Sequence, residues 1–202
     1  MKIIPTPKKI QQRDGYFRIL QNTVITADRF ENPFAVLFLQ KHIEKKCATL
    51  CRISAIEGES TIGFYTKSFD GNEQAYTIEI TEKRIEIAAE SDCGLYYGAV
   101  TLCQMIDEFG VQLPCCLISD WCDIEKRGVL YDITRGKVAK LETIKRVIET
   151  LSYYKINQLY LYTEHAFEYS KISEAWRGTS ALSAAEILKI RVYAEKYHVE
   201  LV

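Results

Sequence analysis

From about Arg127 onward, short apolar strands alternate with amphipathic helices, and this alternation constrains the fold more than any other feature of the sequence. Residues 128–133 are apolar except for Asp132, which predicts a strand buried on both faces. Apolar side chains then recur at helical spacing over 141–155, and 159–162 form a second strand-like run. The pattern therefore predicts a strand, a helix and a second strand in succession.

A second helix and a third strand follow. Ser183 and Glu186 have the spacing of a capping box at the start of a helix, and 199–202 are again strand-like. Repeats of this kind predict a parallel βαβαβ arrangement, which fits both an open doubly wound sheet and a closed (β/α)8 barrel. No G-x-G-x-x-G motif supports dinucleotide binding. Because a barrel needs about 250 residues, we expect a truncated barrel with about the first two to three βα units.

The first 122 residues have a different organisation, in which short strands are interspersed with two helices. Strands are predicted at 16–20, 23–26, 61–65, 76–81, 83–89 and 111–118, and helices at 33–47 and 91–110. The first two strands are expected to pair around Gln21 and Asn22, and the fourth and fifth are expected to form a hairpin with one buried face. This arrangement predicts an α/β protein with a small α+β domain over 1–122, followed by the parallel segment over 123–202.

Composition and charge exclude several classes of partner. The chain has 48% hydrophobic residues, enough for a sizeable core, and a net charge of −1 without a basic tract. Neither nucleic acid nor an anionic membrane is therefore an expected partner. The first ten residues lack the apolar region of a signal peptide, so we expect either a cytoplasmic protein or an exported one whose signal has been removed.

The seven cysteines are odd in number and irregularly spaced. Cys47 and Cys51 could share one helix face, but no second pair follows at zinc-site spacing, so the sequence predicts no metal site. Reduced and largely buried thiols are the favoured interpretation, and disulfides are an alternative only for an exported protein. No cofactor is predicted.

Polar side chains follow the first two strands of the parallel segment, at the strand ends where ligands meet α/β folds. Asp132 and Arg135 close the first strand, and Glu164 and His165 close the second. An arginine can donate two hydrogen bonds to neighbouring sugar hydroxyls or to a carboxylate, and a glutamate can accept from the same hydroxyls. A histidine can do either, depending on its protonation.

Each of these residues also has a structural interpretation. Asp132 could simply pair with Arg135, and His165 could be a hydrogen-bonded structural residue. Aromatic side chains follow in the same loop, where they could either contact the apolar faces of a sugar or pack as a lid; they are Phe167, Tyr169 and Trp176. Spacing alone leaves these alternatives open.

The segment from Arg127 to His165 resembles the opening of the catalytic barrel in family 20 glycoside hydrolases, the β-N-acetylhexosaminidases. The matching positions are Arg127-Gly128, Asp132, Arg135, Tyr154-Lys155-Ile156-Asn157 and Glu164. Upstream, residues 4–7, 96–104, 113–114 and 118–121 are similar to the family's start, to the helix before its barrel and to the barrel entry. The resemblance covers essentially the whole chain.

The resemblance implies an N-terminal α+β domain of hexosaminidase type over 1–122 and the start of the barrel over 123–202. It implies removal of terminal β-linked N-acetylglucosamine or N-acetylgalactosamine with retention, the substrate's acetamido oxygen being the nucleophile. Arg135 matches the arginine that binds the outer hydroxyls of the terminal sugar, and Glu164 matches an acidic residue that is usually Asp. His165 stands where the family has a second acidic residue, and we include it among the substrate-binding candidates.

The family's catalytic Asp-Glu pair follows the fourth barrel strand, whereas this sequence reaches only the third. Asp107 and Glu108 are adjacent, but they lie near the end of a helix in the first domain. We therefore expect no catalytic residue among these 202 and no activity from them alone. The alternative is a non-catalytic carbohydrate-binding module, or one that self-associates through the edge strand at 199–202.

Overall fold

The computed structural model describes residues 1–28, 33–69 and 71–202, which form two compact units, Met1–Asp123 and Ile124–Val202. The strands and helices of the first unit are β1 (Lys9–Arg18), β2 (Val24–Ala27), α1 (Phe34–Cys47), β3 (Arg52–Ile53), β4 (Thr61–Thr66), β5 (Tyr76–Ile80), β6 (Arg84–Ala89), α2 (Asp92–Phe109) and β7 (Gln112–Asp120). Among the residues described, these strands form one seven-stranded sheet in the order β1-β7-β5-β6-β4-β2-β3.

The hairpin predicted over 76–89 is confirmed. β5 and β6 pair antiparallel, with Ile78 opposite Ile87. In β5 the side chains of Tyr76, Ile78 and Ile80 are buried and those between them are half-buried, which is the alternation expected of one buried face. Strands β2, β3, β4 and β6 pair parallel, so the sheet is mixed.

The predicted pairing of the first two strands is wrong. β1 instead pairs antiparallel with β7, with Phe17 opposite Leu113, and β2 lies between β3 and β4 at the other side of the sheet. The backbone N–H of Ile19 still donates to Val111 at 2.9 Å, so the chain follows β7 beyond the end of β1 rather than turning back. Val24, Ile25 and Thr26 are all buried, as suits an inner strand better than a hairpin arm.

Helix α2 begins where the sequence predicts and packs tightly on the sheet. The hydroxyl of Ser91 accepts a hydrogen bond from the backbone N–H of Gly94 at 3.1 Å, and the helix ends at Gly110 with φ +65°. A methyl group at Gly98 would lie 2.5 Å from Cγ2 of Ile87, so only glycine permits this approach of helix to strand. Helix α1 packs against α2 and β2.

The second unit contains β8 (Gly128–Asp132), α3 (Leu141–Tyr153), β9 (Gln158–Tyr162), α4 (Ala184–Lys196) and β10 (Glu200–Leu201). The strands pair parallel in the order β8-β9-β10, which confirms the predicted βαβαβ arrangement. The capping box is also confirmed, because the Ser183 hydroxyl accepts from the Glu186 N–H while the Glu186 carboxylate accepts from the Ser183 N–H.

The core of the second unit lies on one face of its sheet. Ile148 of α3, Leu159 of β9 and Ile190 of α4 are fully buried there. On the opposite face, Leu130 is 66% exposed and Tyr160 is 37% exposed. The prediction that β8 is buried on both faces is therefore wrong for the residues described, because both helices cover the same side.

Arg127 joins the segment before β8 to the segment before β9. Its Nε and Nη2 donate to the carbonyl of Lys155 at 2.9 and 2.7 Å, and its Nη1 donates to the carbonyl of Glu125 at 2.9 Å. Its backbone N–H donates to Oδ1 of Asn157, whose amide returns a hydrogen bond to the Glu125 carbonyl. Lys155 has a φ of +58°, so this turn adopts a backbone conformation that needs support.

Four of the seven cysteines are buried, namely Cys51, Cys103, Cys115 and Cys116, and the others are partly buried. None of the seven forms a disulfide within the described residues. Burial raises the pKa of Cys51 and of Cys116 to about 11, which keeps both protonated at neutral pH. Within the part of the chain that the structure describes, none of the helices has both the length and the apolar character needed to cross a membrane.

We expect Arg127→Lys to lower the free energy of unfolding by about 2 kcal/mol, because lysine cannot reproduce a guanidinium that donates to three carbonyl groups, those of Ile124, Glu125 and Lys155. Urea unfolding of the 202-residue chain, followed by circular dichroism, measures the change. Arg191→Lys is the matched control, since Arg191 makes one exposed pair with Glu195. Equal stability of the Arg127 variant and the control would contradict a structural role for Arg127.

Candidate functional site

The candidate site lies where β8 and β9 end side by side. Because the two strands are parallel, their last residues, Asp132 and Tyr162, are direct neighbours in the sheet. The backbone N–H of Ile133 donates to the Tyr162 carbonyl at 3.2 Å, so the pairing extends one residue beyond β8. The loops that begin with Thr134 and Glu164 therefore start from adjacent points.

Asp132 is held by the loop that follows it. Its Oδ1 accepts hydrogen bonds from the backbone N–H and the hydroxyl of Thr134, at 2.8 and 2.7 Å, while its Oδ2 accepts from Nη1 of Arg135. The hydrogen bonds from Thr134, with a further contribution from Arg135, lower the pKa of Asp132 to about 2. Asp132 is therefore ionised at neutral pH.

Arg135 lies between two carboxylates and over an aromatic ring. Besides Asp132, its Nη1 donates to the Thr134 hydroxyl at 3.1 Å, and its Nη2 donates to Oε1 of Glu164 at 3.3 Å. Its Cζ lies 5.1 Å from the ring centre of Tyr162, a cation–π distance. Hydrogen bonding to Asp132 is the largest of the effects that raise the pKa of Arg135. The structure thus brings together two of the residues predicted for the site, Arg135 and Glu164.

Glu164 and His165 lie in a single 3-10 turn, Glu164–Ala166, directly after β9. Glu164 has a φ of +31°, an uncommon conformation for a residue with a side chain. His165 is exposed, and its imidazole forms no hydrogen bond or ion pair with any residue that the structure describes. The third predicted residue therefore follows Glu164 directly in the chain, but its side chain makes no hydrogen bond or ion pair with Glu164 or Arg135.

The aromatic loop after β9 is packed on itself. Phe167 and Tyr169 meet edge to face with ring centres 5.0 Å apart, and Nε1 of Trp176 donates to the Tyr169 carbonyl at 2.9 Å. The backbone N–H of Glu168 donates to the Leu182 carbonyl, which ties the loop to the segment before α4. These contacts agree with the interpretation of this loop as a packed structure.

Tyr162 and the Thr134 hydroxyl belong to the site, although the sequence pattern predicts no role for either. The pattern predicts Tyr162 only as the last residue of a strand. A signal for it exists, because in-register parallel strands place the residue before the second loop beside Asp132. Thr134 could have been found from its position two residues after an aspartate, where its N–H commonly bonds that side chain.

No group of three or more His, Cys, Asp or Glu side chains suited to a metal occurs in residues 1–28, 33–69 and 71–202. The adjacent acidic residues of α2 have other contacts. Asp107 pairs with His42 at 3.1 Å and with Lys46 at 2.8 Å. Glu108 lies 3.5 Å from the terminal amine of Met1. These pairs anchor α1 and the first residues of the chain to α2.

The site can therefore recognise groups that both donate and accept hydrogen bonds. The guanidinium of Arg135 has five N–H donors, and its exposed position leaves donors available to a ligand. Oε2 of Glu164 accepts no hydrogen bond from the described residues, so it is available as an acceptor. Neighbouring hydroxyl groups match this combination of a cationic donor and an anionic acceptor.

A family model described as glycosyl hydrolase family 20, domain 2, matches residues 1–121, which is more than half of the chain. The chain belongs to glycosyl hydrolase family 20. A "Beta-N-acetylhexosaminidase" of Cellulomonas fimi is 28% identical to this family 20 chain over 174 residues, which cover 79% of this chain and 34% of that protein. A "Beta-hexosaminidase" of Vibrio furnissii is 26% identical over 160 residues, covering 78% of this chain and 25% of that protein.

Solved structures of family 20 proteins resemble this chain over nearly its whole length. The β-N-acetylhexosaminidase of Streptomyces coelicolor A3(2) superposes with a TM-score of 0.87 at 19% identity, covering 99% of this chain and 45% of that one. That of Bacteroides fragilis NCTC 9343 has a TM-score of 0.82 at 26% identity, covering 99% and 44%. These likenesses confirm the predicted mixed α/β fold, and the match to the family model confirms the predicted family. The present chain spans at most about a third of the length of the two relatives matched by sequence.

We expect the stabilising effect of Asp132 to disappear in acid. Because the pKa of Asp132 is lower in the folded state than its ordinary value, its contribution is fully present above about pH 4 and is lost as the pH falls through about 2. Urea unfolding of the 202-residue chain and of Asp132→Asn, compared at several pH values, measures this. The two stabilities should converge below about pH 4, whereas a difference that is constant over the whole range would contradict the assignment. Glu195→Gln, which removes another Arg–carboxylate pair, is the control.

Proposed function

We propose that this chain forms part of a retaining β-N-acetylhexosaminidase that removes terminal β-linked N-acetylglucosamine or N-acetylgalactosamine from glycans. One observation carries the proposal. Arg135 and Glu164 pair at the carboxyl ends of adjacent parallel strands, within a chain that belongs to family 20. Two relatives, a β-N-acetylhexosaminidase and a β-hexosaminidase, support the same activity class.

Residues 1–122 would be the N-terminal α+β domain of such an enzyme, and 123–202 would be the start of its (β/α)8 barrel. The parallel order of β8, β9 and β10, with a helix in each connection, supports the second assignment. The open face that carries Leu130 and Tyr160 would then face the barrel interior. Active sites of such barrels lie at the carboxyl ends of the strands, where Arg135 and Glu164 are found.

In this proposal Arg135, Glu164 and His165 bind the terminal sugar. Arg135 donates hydrogen bonds to its outer hydroxyls, and Glu164 accepts from the same group of hydroxyls. His165 is exposed at the start of the aromatic loop and offers a further contact. Neither a metal nor a cofactor is needed for this binding.

In the proposed reaction the acetamido oxygen of the substrate attacks the anomeric carbon, and the bond from that carbon to the leaving oxygen breaks. An acid must protonate the leaving oxygen. Asp132 does not suit this role, because a carboxyl with a pKa of about 2 carries no proton at neutral pH. Glu164 is assigned to sugar binding, and Asp107 and Glu108 are engaged in contacts of the first unit. We therefore propose that the 202 residues alone do not catalyse hydrolysis.

A second candidate is a non-catalytic carbohydrate-binding or self-associating module. The observation that favours it is the exposure of apolar side chains in the second unit, where Leu130 is 66% and Leu188 is 59% exposed. Sedimentation velocity should then show a dimer whose population rises with concentration and falls in Leu130→Lys. A chain that stays monomeric and fails to bind chitobiose at millimolar concentration would remove this candidate.

Activity is tested with an aryl N-acetylglucosaminide, which releases a coloured phenol on hydrolysis. We expect turnover by the polypeptide encoded by the complete reading frame and none by the 202-residue chain. Turnover by the 202-residue chain would contradict the proposal that the acid lies outside it. The proposed activity would be contradicted if the complete polypeptide hydrolysed neither an aryl N-acetylglucosaminide nor an aryl N-acetylgalactosaminide.

A further inference from the structure

The contacts of Arg135 differ in kind on its two sides, and this difference points to a division of roles. On one side, Nη1 donates to Asp132 and Thr134, which are held to each other by two hydrogen bonds of 2.7 and 2.8 Å. On the other side, Nη2 makes one longer hydrogen bond of 3.3 Å to Glu164. The contacts of Nη1 hold the guanidinium in place, whereas the single contact of Nη2 with Glu164 can be replaced by a ligand.

We propose that Asp132 and Tyr162 are positioning residues, which hold the guanidinium of Arg135 in the orientation that receives a sugar hydroxyl between Arg135 and Glu164. This inference rests on the proposed function, because it names how the same site would present its arginine. It goes beyond that function by assigning roles to two residues that do not themselves touch the substrate in the proposal.

Asp132 can act in this way because its two oxygens have separate partners. Oδ1 takes both hydrogen bonds from Thr134, which fixes the carboxylate plane, and Oδ2 remains for Arg135. A carboxylate whose orientation is fixed at one oxygen fixes its partner at the other. The carboxylate stays ionised at neutral pH, so the contact keeps its full charge.

Tyr162 restricts the guanidinium in a second direction. The ring faces Cζ of Arg135 at 5.1 Å, so it limits tilting of the guanidinium plane while Asp132 limits its rotation. The strand register places Tyr162 beside Asp132, so both supports come from the ends of β8 and β9 rather than from the loops that follow them.

Such support matters because the Arg135 side chain is 65% exposed. An exposed arginine without restraints samples many rotamers and loses that freedom when it binds a ligand. Holding the side chain beforehand reduces this loss and favours one geometry of hydrogen bonding. A hydroxyl that enters on the open side can accept from Nη2 of Arg135 and donate to Glu164, replacing the 3.3 Å contact between them.

The orientation of Arg135 can be measured without any ligand. In the ¹⁵N-labelled 202-residue chain, we expect NMR signals of the Arg135 Nη groups that show slow rotation about the Nε–Cζ bond. Asp132→Asn and Tyr162→Leu should accelerate this rotation several-fold, whereas Tyr162→Phe, which keeps the ring, should not. Glu195→Gln is the control for loss of an unrelated Arg–carboxylate pair. Unchanged rotation in both Asp132→Asn and Tyr162→Leu would overturn the proposal.

The consequence for the reaction is measured in the polypeptide encoded by the complete reading frame. Asp132→Asn should lower kcat/KM by roughly tenfold, mainly by raising KM, as loss of a support to a charged hydrogen bond predicts. In an Arg135→Ala background the same change should have almost no further effect, because its action passes through Arg135. A full tenfold loss in both backgrounds, or a lowered kcat at constant KM, would overturn the proposal.

A further variant, and a comparison of the two measurements, distinguish failure of this proposal from failure of the proposed function. Thr134→Val retains the backbone hydrogen bond to Asp132 and the side-chain volume, so it replaces Asp132→Asn if that variant does not fold. It should accelerate rotation of the guanidinium, though less than Asp132→Asn. If the complete polypeptide hydrolyses no aryl acetamido sugar, the proposed function fails, whereas the rotation measurement still decides whether Asp132 and Tyr162 hold Arg135.

Discussion

The parallel pairing of β8 with β9 is the constraint on which the rest of the candidate site depends. Parallel strands end at the same edge of a sheet, so the loops that leave them begin side by side. The register places Asp132 next to Tyr162, and the contacts of Arg135 with Tyr162 and Glu164 follow from that placement. At the other end of the same strands, Arg127 holds together the two segments that enter them.

The electrostatics of the site follow from one cation between two carboxylates. The two acidic residues are not equivalent, because Asp132 is fixed by two hydrogen bonds from Thr134, whereas the Glu164 carboxylate makes just the 3.3 Å contact with Arg135 among the residues described. The first is suited to holding a group in place and the second to exchanging partners with a ligand. A pKa of about 2 also removes Asp132 from consideration as an acid at neutral pH.

The two units contribute different parts of the argument. Residues 1–121 match the family 20 model. Helix α2 of this unit lies so close to the sheet that its glycines have no room for a side chain. The second unit carries the arginine and the glutamate from which the proposed sugar contact is derived. Family membership therefore rests mainly on one unit and the chemistry on the other.

Features that depend on neighbours in the sequence could be predicted from it. The hairpin of β5 and β6, the capping box of Ser183 and Glu186 and the βαβαβ order all arise from local periodicity or from hydrogen bonds within a few residues. The contact between Arg135 and Glu164 was predictable as well, because the ends of adjacent parallel strands lie side by side in any parallel sheet.

Features that depend on distant pairing were decided only by the tertiary structure. β1 pairs with β7, about a hundred residues away, rather than with the next strand, because an inner position in the sheet suits β2, whose first three residues are buried. The exposure of Leu130 follows from both helices lying on one face, which periodicity does not specify. The place of Tyr162 beneath Arg135 depends on strand register and side-chain direction together, and neither is encoded in the spacing of residue types alone.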